Sequence, residues 1–199
     1  GGRLMRKLLR ERILPILGVA SQEDAAAVNF VRGDCDENRL AITTDSFVVS
    51  PLFFPGGDIG CLAVYGTLND LAVAGAQPLC LTLSLIIEEG FSLELLERIL
   101  TSAAVAAKAT NTPIVAGDTK VVPRGAADGL FINTSAVGRY RAATLLSSHS
   151  IQVGDILIAR GPIAKHAIAV LVDRDILQLQ PAAVRVAAAY LLQRSPQCH

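Results

Sequence analysis

The sequence predicts an α+β domain over residues 1–140, followed by the opening of a second α/β domain. Three observations support this fold class. Apolar β-rich runs and amphipathic or capped helices follow one another in the order helix, strands, helix, strand, helix, strand, strand. Hydrophobic residues make up 51% of the chain and charged residues 18%, which is enough apolar surface for a substantial core. A length of 199 residues accommodates one large domain, or one complete domain and part of another.

In the first part of the chain, the sequence predicts one helix and two strands. Leucine and isoleucine recur at helical spacing over residues 3–14, with basic side chains on the other side. Residues 28–31 and 40–50 are rich in β-formers, and the second run contains Asp45. A carboxylate there requires an exposed edge, a strand end, a bulge or a metal, because burying it unpaired costs roughly several kcal/mol. Residues 21–24 fit either a helix cap or a loop that presents Asp24.

A long central helix is predicted over residues 59–74. Asp58 is placed to cap its start and Gly75 to end it. The helix is apolar on nearly every side, so we expect it to be buried. Asn69 and Asp70 interrupt this apolar pattern. A buried helix accommodates such side chains only when they have partners, and a cation is one partner that suits Asp70.

In the second part of the chain, the sequence predicts a strand, a helix and two further strands. Leucines at every second position, from Leu79 to Leu85, predict a strand over residues 78–87. Ser92 is placed to cap a helix that runs to about Thr110. The remaining two strands are predicted at residues 114–116 and 130–137.

The strand at residues 114–116 is predicted to end in a Gly-Asp-Thr-Lys turn, residues 117–120, at one edge of a sheet. Asp118, Thr119 and Lys120 offer the carboxylate, hydroxyl and ammonium groups that hold a metal ion and its phosphates. Asp45 and Asp70 also interrupt apolar elements. If the three carboxylates converge, they form a hard-oxygen site for Mg²⁺, and Lys120 would neutralise phosphate charge. The pattern equally allows three structural aspartates.

Composition argues against several classes of function. Eighteen basic residues balance eighteen acidic ones without a basic stripe, so nucleic acid is a poor candidate partner. No apolar run is long enough for a membrane span, and no secretory signal is recognisable. The four cysteines form no CxxC pair, and no histidine spacing suits zinc. These observations predict a reduced, cytoplasmic protein.

Residues 141–150 are predicted to be a polar linker, and residues 151–199 the incomplete start of a C-terminal domain. That segment is expected to contain a strand at 155–159 and helices at 165–172 and around 182–192. One strand and two helices cannot close a core of their own, because a lone strand leaves its backbone groups without partners.

Five segments in this order carry a resemblance to a known family: GGRLM, TTDSFVVSPLFFPGGDIG, YGTLNDLAVAGAQP, EEGFSLELLERIL and VAGDTKVVPRGAADGLFINTSAVG. Together they resemble HypE, a family of hydrogenase maturation proteins. That family lies within the superfamily of aminoimidazole-ribonucleotide synthetase, selenophosphate synthetase and thiamine-monophosphate kinase. The resemblance covers about residues 1–175.

The resemblance implies a fold, a reaction and partners. The fold is an aminoimidazole-ribonucleotide synthetase-like N-terminal domain, whose mixed sheet forms a barrel at the interface of a homodimer and is flanked by helices. The reaction is an ATP- and Mg²⁺-dependent carbamoyl dehydration, in which a thiocarboxamide on the C-terminal cysteine becomes a thiocyanate for the cyanide ligand of nickel–iron hydrogenase. HypF would supply the carbamoyl group, and the HypC–HypD complex would receive the cyanide.

The resemblance also assigns roles to individual residues. It implies metal contacts for Asp45, Asp70, Asp118 and Asp24, phosphate contacts for Thr44, Asn69, Gly117 and Thr119, and a catalytic role for Lys120 at the carboxamide or the transferring phosphoryl group. The reactive cysteine is expected beyond residue 199, and Cys198 does not match it. This leaves two alternatives open: a non-catalytic dimerisation or interaction module of the same family, and a kinase-like or synthetase cousin.

Overall fold

The chain begins with a helical stretch that agrees with the first predicted helix. A computed structural model describes residues 2–17, 25–29, 39–140, 147–156, 167–168 and 171. Helix α1 (Gly2–Leu8) continues through a π-helical turn (Leu9–Ile13) into α2 (Leu14–Leu17). No helix of the described ranges combines the length and apolarity needed to cross a membrane.

The remaining elements alternate as the sequence predicts. In chain order they are β1 (Ala26–Asn29), β2 (Arg39–Phe47), β3 (Phe53–Phe54), β4 (Gly57–Asp58), α3 (Ile59–Val73), β5 (Ala76–Glu88), α4 (Leu93–Ala109), β6 (Ile114–Val122) and β7 (Leu130–Tyr140). Strands β1, β2, β7, β5 and β6 lie side by side in that order in one sheet, and β3 pairs with β4. Within the sheet, β5 and β6 are parallel and the other neighbours are antiparallel. The mixed sheet and its helices confirm the predicted α+β class.

Helices α3 and α4 pack on one face of this sheet, which we call the helix face. Alternate side chains of three strands are buried there: Ala41 and Thr43 of β2, Leu81, Leu83 and Leu85 of β5, and Leu130, Ile132, Thr134 and Ala136 of β7. The opposite side, which we call the outer face, carries polar residues at the intervening positions, among them Thr44, Ser46, Asn133 and Ser135. The core therefore lies between one face of the sheet and two helices.

The start of α3 is capped as predicted. The Asp58 carboxylate accepts hydrogen bonds from the Gly60 N–H at 2.7 Å and the Cys61 N–H at 3.2 Å. Gly60 lets α4 approach closely, because a Cβ at this position would overlap the carbonyl oxygen of Ile99. Ile59, Val64 and Leu71 are fully buried, whereas Val73 at the end of α3 is 58% exposed.

Strand β5 departs from the regular alternation at its start. Leu81, Leu83 and Leu85 face the core as predicted, but Leu79 is 40% exposed. The pairing of β5 with β7 shifts register between Pro78 and Cys80. Such an irregularity changes the face that a side chain occupies, which explains why the expected position of Leu79 is wrong.

Residues 117–120 form no turn, so this prediction is wrong. Strand β6 pairs in parallel with β5 from Ala116 opposite Thr82 to Val122 opposite Glu88, and residues 117–120 lie inside this ladder. The parallel hydrogen bonds hold Gly-Asp-Thr-Lys in extended conformation, and the chain turns only after Val122. The carboxylate and ammonium therefore project from the middle of an edge strand.

The predicted second domain lies largely outside the described residues. Asp155 and Ile156, at the start of the expected strand 155–159, are not in a strand. Residues 167, 168 and 171, within the expected helix 165–172, are helical. The expected helix around residues 182–192 falls wholly in the part that the structure leaves undescribed.

Candidate active site

One candidate half-site lies at the end of α3 beside β2. The Thr43 hydroxyl donates a hydrogen bond to Oδ2 of Asp70 at 2.9 Å. Asp45 follows Thr43 by two residues in the same strand, so it lies on the helix face as well. Asp70 occupies the last turn of α3, where the partial negative charge of the helix C-terminus disfavours a carboxylate. Carboxylates at Asp45 and Asp70 are hard-oxygen donors of the kind that Mg²⁺ prefers.

Asn69 adds an unsatisfied donor to this half-site. Its side-chain nitrogen Nδ2 is buried and has no hydrogen-bond partner within the described part of the chain. Buried amide groups are normally paired, and leaving one unpaired costs about 1–3 kcal/mol. Such a donor next to a carboxylate suits an anionic oxygen that arrives together with a cation. We call Asp45, Asn69 and Asp70 the β2–α3 half-site.

A second group of polar residues lies on β6. The Lys120 Nζ is 3.0 Å from Oδ1 and 2.9 Å from Oδ2 of Asp118, and the Thr119 N–H donates to Oδ1 at 2.8 Å. The Lys120 hydrogen bond is the main reason why the pKa of Asp118 is lowered, with the Thr119 hydrogen bond second. Both charged side chains are largely exposed, at 69% for Lys120 and 60% for Asp118. We call residues 117–120 the β6 half-site.

Asp118 and Lys120 lie on the outer face of the sheet. Asp118 is the register partner of Ser84, which alternates with the buried Leu83 and Leu85 of β5. Gly117 permits close pairing with β5, because a Cβ there would overlap the carbonyl oxygen of Leu83. The sequence predicts a phosphate contact at Gly117, and the structure adds a steric reason for glycine.

Thr44 is also on the outer face, away from Asp70. Its hydroxyl donates to the Thr134 carbonyl at 3.1 Å and accepts from the Ser135 hydroxyl at 2.9 Å. The amide of Asn133 donates to the Asp45 carbonyl at 2.9 Å and to the Ser46 hydroxyl at 3.0 Å. Thr44 thus belongs to a polar network that joins β2 to β7.

The two half-sites do not meet within the described part of one chain. Strands β7 and β5 lie between β2 and β6, so the half-sites are separated by three strand spacings, roughly 14 Å. The charged side chains of Asp118 and Lys120 also lie on the opposite face of the sheet from Asp45. No group of three His, Cys, Asp or Glu side chains among the described residues could hold a metal ion. Asp24, the fourth predicted metal contact, lies outside the described residues.

The residue types fit Mg²⁺ even though the described residues of one chain bring too few of them together. Asp45 and Asp70 provide hard oxygen donors on one side, and Asp118 provides another on β6. The unpaired Asn69 amide fits a phosphate oxygen. A complete site therefore requires that another chain or segment bring the β2–α3 and β6 half-sites together.

Sequence reasoning missed Glu88, the last residue of β5. Its carboxylate accepts hydrogen bonds from the Gly125 N–H at 2.7 Å and the Gly129 N–H at 3.0 Å. These two backbone hydrogen bonds, with a smaller contribution from the charge of Arg124, lower the pKa of Glu88. An acidic residue at the end of an apolar strand was the available signal, but its glycine partners lie about forty residues away in sequence, at separations of 37 and 41.

Comparison with known proteins identifies the family. The model of the AIR synthase related protein, N-terminal domain, matches residues 22–140. Carbamoyl dehydratase HypE of Rhizobium leguminosarum bv. viciae is 50% identical over 151 residues, which are 76% of this chain and 43% of that protein. HypE of Escherichia coli K12 is 42% identical over 182 residues, covering 90% of this chain and 54% of that protein.

Solved structures show the same relationship. HypE in a HypE–HypF complex superposes with a TM-score of 0.75 at 43% identity, covering 90% of this chain and 56% of that one. HypE in complex with ATP gives a TM-score of 0.69 at 40% identity, covering 92% of this chain and 53% of that one. The chain spans about half the length of the curated relatives it matches. It belongs to the family of AIR synthase related proteins, and within that family its similarity is to the N-terminal half of HypE.

Proposed function

We propose that this chain carries the ATP- and Mg²⁺-binding half of a carbamoyl dehydratase that acts in nickel–iron hydrogenase maturation. The reaction would convert a cysteine-bound thiocarboxamide to a thiocyanate, the source of a cyanide ligand. The observation that carries this proposal is the Asn69 amide, which is buried and has no hydrogen-bond partner among the described residues, one residue before Asp70. The amide donor suits a phosphate oxygen, and the carboxylate suits the Mg²⁺ that accompanies it. A related HypE has been solved with ATP.

Each residue has a proposed role in this site. Asp45, Asp70 and Asp118 would hold Mg²⁺, with Asp24 as a further metal contact. Asn69, Gly117, Thr119 and Thr44 would contact the nucleotide. Lys120 would act on the carboxamide oxygen or on the phosphoryl group that is transferred to it, where its positive charge stabilises developing negative charge.

A homodimer would unite the two half-sites. Strand β6 is an edge strand, and its residues 114–121 are exposed on both faces. Val115 and Val121 are 60% and 68% exposed, so the edge carries apolar surface that a second chain would cover. In this arrangement the β6 half-site of one copy faces the β2–α3 half-site of the other. Barrel formation by two such sheets belongs to the same proposal.

The wider assignments follow the family. A HypF-like protein would donate the carbamoyl group, and a related HypE has been solved in complex with HypF. A HypC–HypD complex would accept the cyanide, and the protein would work in the cytoplasm. We propose residues 1–140 as the ATP-binding and dimerisation domain, residues 141–150 as a linker and residues 151–199 as the start of a C-terminal domain. The family match, which ends at residue 140, supports this division.

Asn69→Ala tests the proposal. Removing an unpaired buried amide should leave the free energy of unfolding unchanged or slightly higher, because alanine is also the better helix former. The affinity for ATP with Mg²⁺ should nevertheless fall about tenfold, the worth of a charge-assisted hydrogen bond. Isothermal titration and urea unfolding measure the two quantities. Glu97→Ala, on the exposed side of α4, is the matched control. Unchanged ATP affinity in Asn69→Ala would contradict the proposed function.

One observation favours a second candidate. The exposed apolar edge at β6 would suit a dimerisation or interaction module without catalysis. A stable dimer that shows no binding of ATP at millimolar concentration would favour that module over the dehydratase half.

A further inference from the structure

The loop between β6 and β7 is held by a single carboxylate. Residues 123–129, with the sequence PRGAADG, follow directly on the β6 half-site and are largely exposed. The Glu88 carboxylate accepts hydrogen bonds from the N–H groups of Gly125, at 2.7 Å, and Gly129, at 3.0 Å, toward the two ends of this loop. The Glu88 N–H also donates to the Gly129 carbonyl at 2.8 Å. One residue of β5 thus binds both ends of the loop.

The glycines that Glu88 contacts suit this arrangement. Gly125 and Gly129 have φ values of +83° and +81°, in the left-handed region that glycine adopts without strain. The ring of Phe91 lies 3.2 Å from the position of a Cβ at Gly129. The loop conformation therefore depends on backbone geometry that directs two N–H groups to one carboxylate.

The loop that Glu88 binds also carries a cation, Arg124. The Arg124 guanidinium lies against Gly90, whose added Cβ would be only 2.7 Å from Nη2. The charge of Arg124 contributes to the lowered pKa of Glu88. The two glycine hydrogen bonds to Glu88 use none of the five N–H donors of the Arg124 guanidinium, which are suited to a further anion.

Arg124 and Lys120 lie toward the same end of the sheet. Lys120 is the register partner of Ile86, and Glu88 is the partner of Val122. Glu88 and Lys120 therefore share the outer face, about one strand repeat or 7 Å apart along the strands. The loop that Glu88 binds places a second cation beyond Lys120, on the side away from Asp118.

We propose that Glu88 is a positioning residue for the terminal phosphate of ATP, because its carboxylate fixes the 123–129 loop that carries the Arg124 guanidinium, which can receive that phosphate. This inference rests on the proposed function. It assigns Glu88 no contact with the nucleotide. Its effect should be limited to nucleotides that carry the terminal phosphate.

Glu88→Gln tests the inference. In glutamine an NH₂ group replaces one of the two carboxylate oxygens. That NH₂ group cannot accept a hydrogen bond from a glycine N–H, so one hydrogen bond is lost while the shape of the side chain hardly changes. The variant should bind ATP about tenfold more weakly, while its affinity for ADP changes less than about twofold. Arg124→Gln should show the same selective loss, and the double variant should be no worse than Arg124→Gln alone. Glu89→Gln, the exposed neighbour, should bind both nucleotides like the unsubstituted chain.

Hydrogen exchange separates the possible outcomes. The amides of Gly125 and Gly129 should exchange faster in Glu88→Gln than in the unsubstituted chain, while those of α3 and β7 stay protected. Faster exchange at both glycines with an unchanged ATP-to-ADP affinity ratio would reduce Glu88 to a structural role and overturn the inference. Unchanged exchange would overturn it too. If the unsubstituted chain binds no ATP, the proposed function itself fails and the inference falls with it.

Discussion

The two half-sites are built on different kinds of support. Asp70 lies on a helix packed against the core, and its carboxylate accepts a hydrogen bond from the buried Thr43. Asp118 lies on an exposed edge strand, where Lys120 is its ion-pair partner. The comparison indicates that the β2–α3 half-site is fixed by folding, whereas the β6 half-site depends little on the core and is available to a ligand or a second chain.

The largest effect is expected at the exposed half-site. Asp118→Asn should weaken Mg²⁺-dependent ATP binding about a hundredfold, because a neutral amide is a poor substitute for a carboxylate on a hard cation. The free energy of unfolding should stay nearly unchanged, since exposed ion pairs contribute little. Calorimetric titration and urea unfolding check the two statements. Asp128→Asn, in the exposed loop, is the control. If Asp118→Asn lowered the free energy of unfolding as much as it lowered the free energy of ATP binding, Asp118 would depend on the core in the same way as Asp70.

The core at the start of α3, the helix that carries Asp70, should respond to a single added methyl group. Gly60→Ala places a Cβ against the backbone carbonyl of Ile99, so α3 and α4 must separate. We expect a loss of about 2–3 kcal/mol in the free energy of unfolding.

Gly66→Ala on the same helix is the matched control. Its Cβ would meet only the movable ring of Phe47, at 2.9 Å. Both substitutions add one methyl group to α3, so the difference between them reports the contact with Ile99 together with the approach of the new Cβ to the Asp58 cap at 2.9 Å. Equal midpoints of urea unfolding would show that this close approach contributes nothing to stability.

Two adjacent residues of β7 compare the two faces of the sheet directly. Thr134 is fully buried, donates to the Ala63 carbonyl at 3.0 Å and is hydrogen-bonded to the Thr67 hydroxyl. Thr134→Val should cost about 1–3 kcal/mol, because both partners stay buried without it.

On the outer face, Ser135→Ala removes only an exposed hydrogen bond to Thr44 and should change the free energy of unfolding by less than about 0.5 kcal/mol. Thermal unfolding of both variants measures the contrast. If Ser135→Ala proved as costly as Thr134→Val, the outer face would have to be regarded as part of the core.

The smallest effect concerns pH. The two glycine N–H groups lower the pKa of Glu88 below its ordinary 4.5. A carboxyl group with a lowered pKa in the folded state stabilises that state above the unfolded pKa, and this contribution is lost as pH falls through the folded pKa. Glu88→Gln should therefore lose less stability than the unsubstituted chain when the pH falls below about 4.5. Urea unfolding at a series of pH values, with Glu89→Gln as control, measures the difference. If the free energy of unfolding changed with pH in the same way for all three proteins, the lowered pKa of Glu88 would contribute nothing to stability.

Local signals predicted most of the fold. Asp58 and Ser92 both accept backbone N–H groups at the starts of α3 and α4, as expected from residue type and position. The alternation of Leu81, Leu83 and Leu85 predicted the buried face of β5. Caps and alternation depend on neighbours within a few residues, so a single sequence contains them.

Features that depend on distant pairing could not be predicted in the same way. The Gly117–Lys120 segment has the composition of a turn, and only its parallel pairing with β5 makes it a strand. The separation of Asp70 from Asp118 follows from the strand order, which places β7 and β5 between β2 and β6. The roles of Asp45, Asp70, Asp118 and Lys120 remain proposals based on residue type and family resemblance.

Complementation between two inactive variants tests the union of the half-sites most directly. Asp70→Asn and Asp118→Asn are each expected to bind ATP poorly as pure proteins. If one copy supplies β6 to the other, co-refolded mixtures should contain dimers with one site that lacks both substitutions, and Mg²⁺-dependent ATP binding should return. A mixture that binds no more ATP than the pure variants, or a monomeric chain that binds ATP fully, would contradict the account.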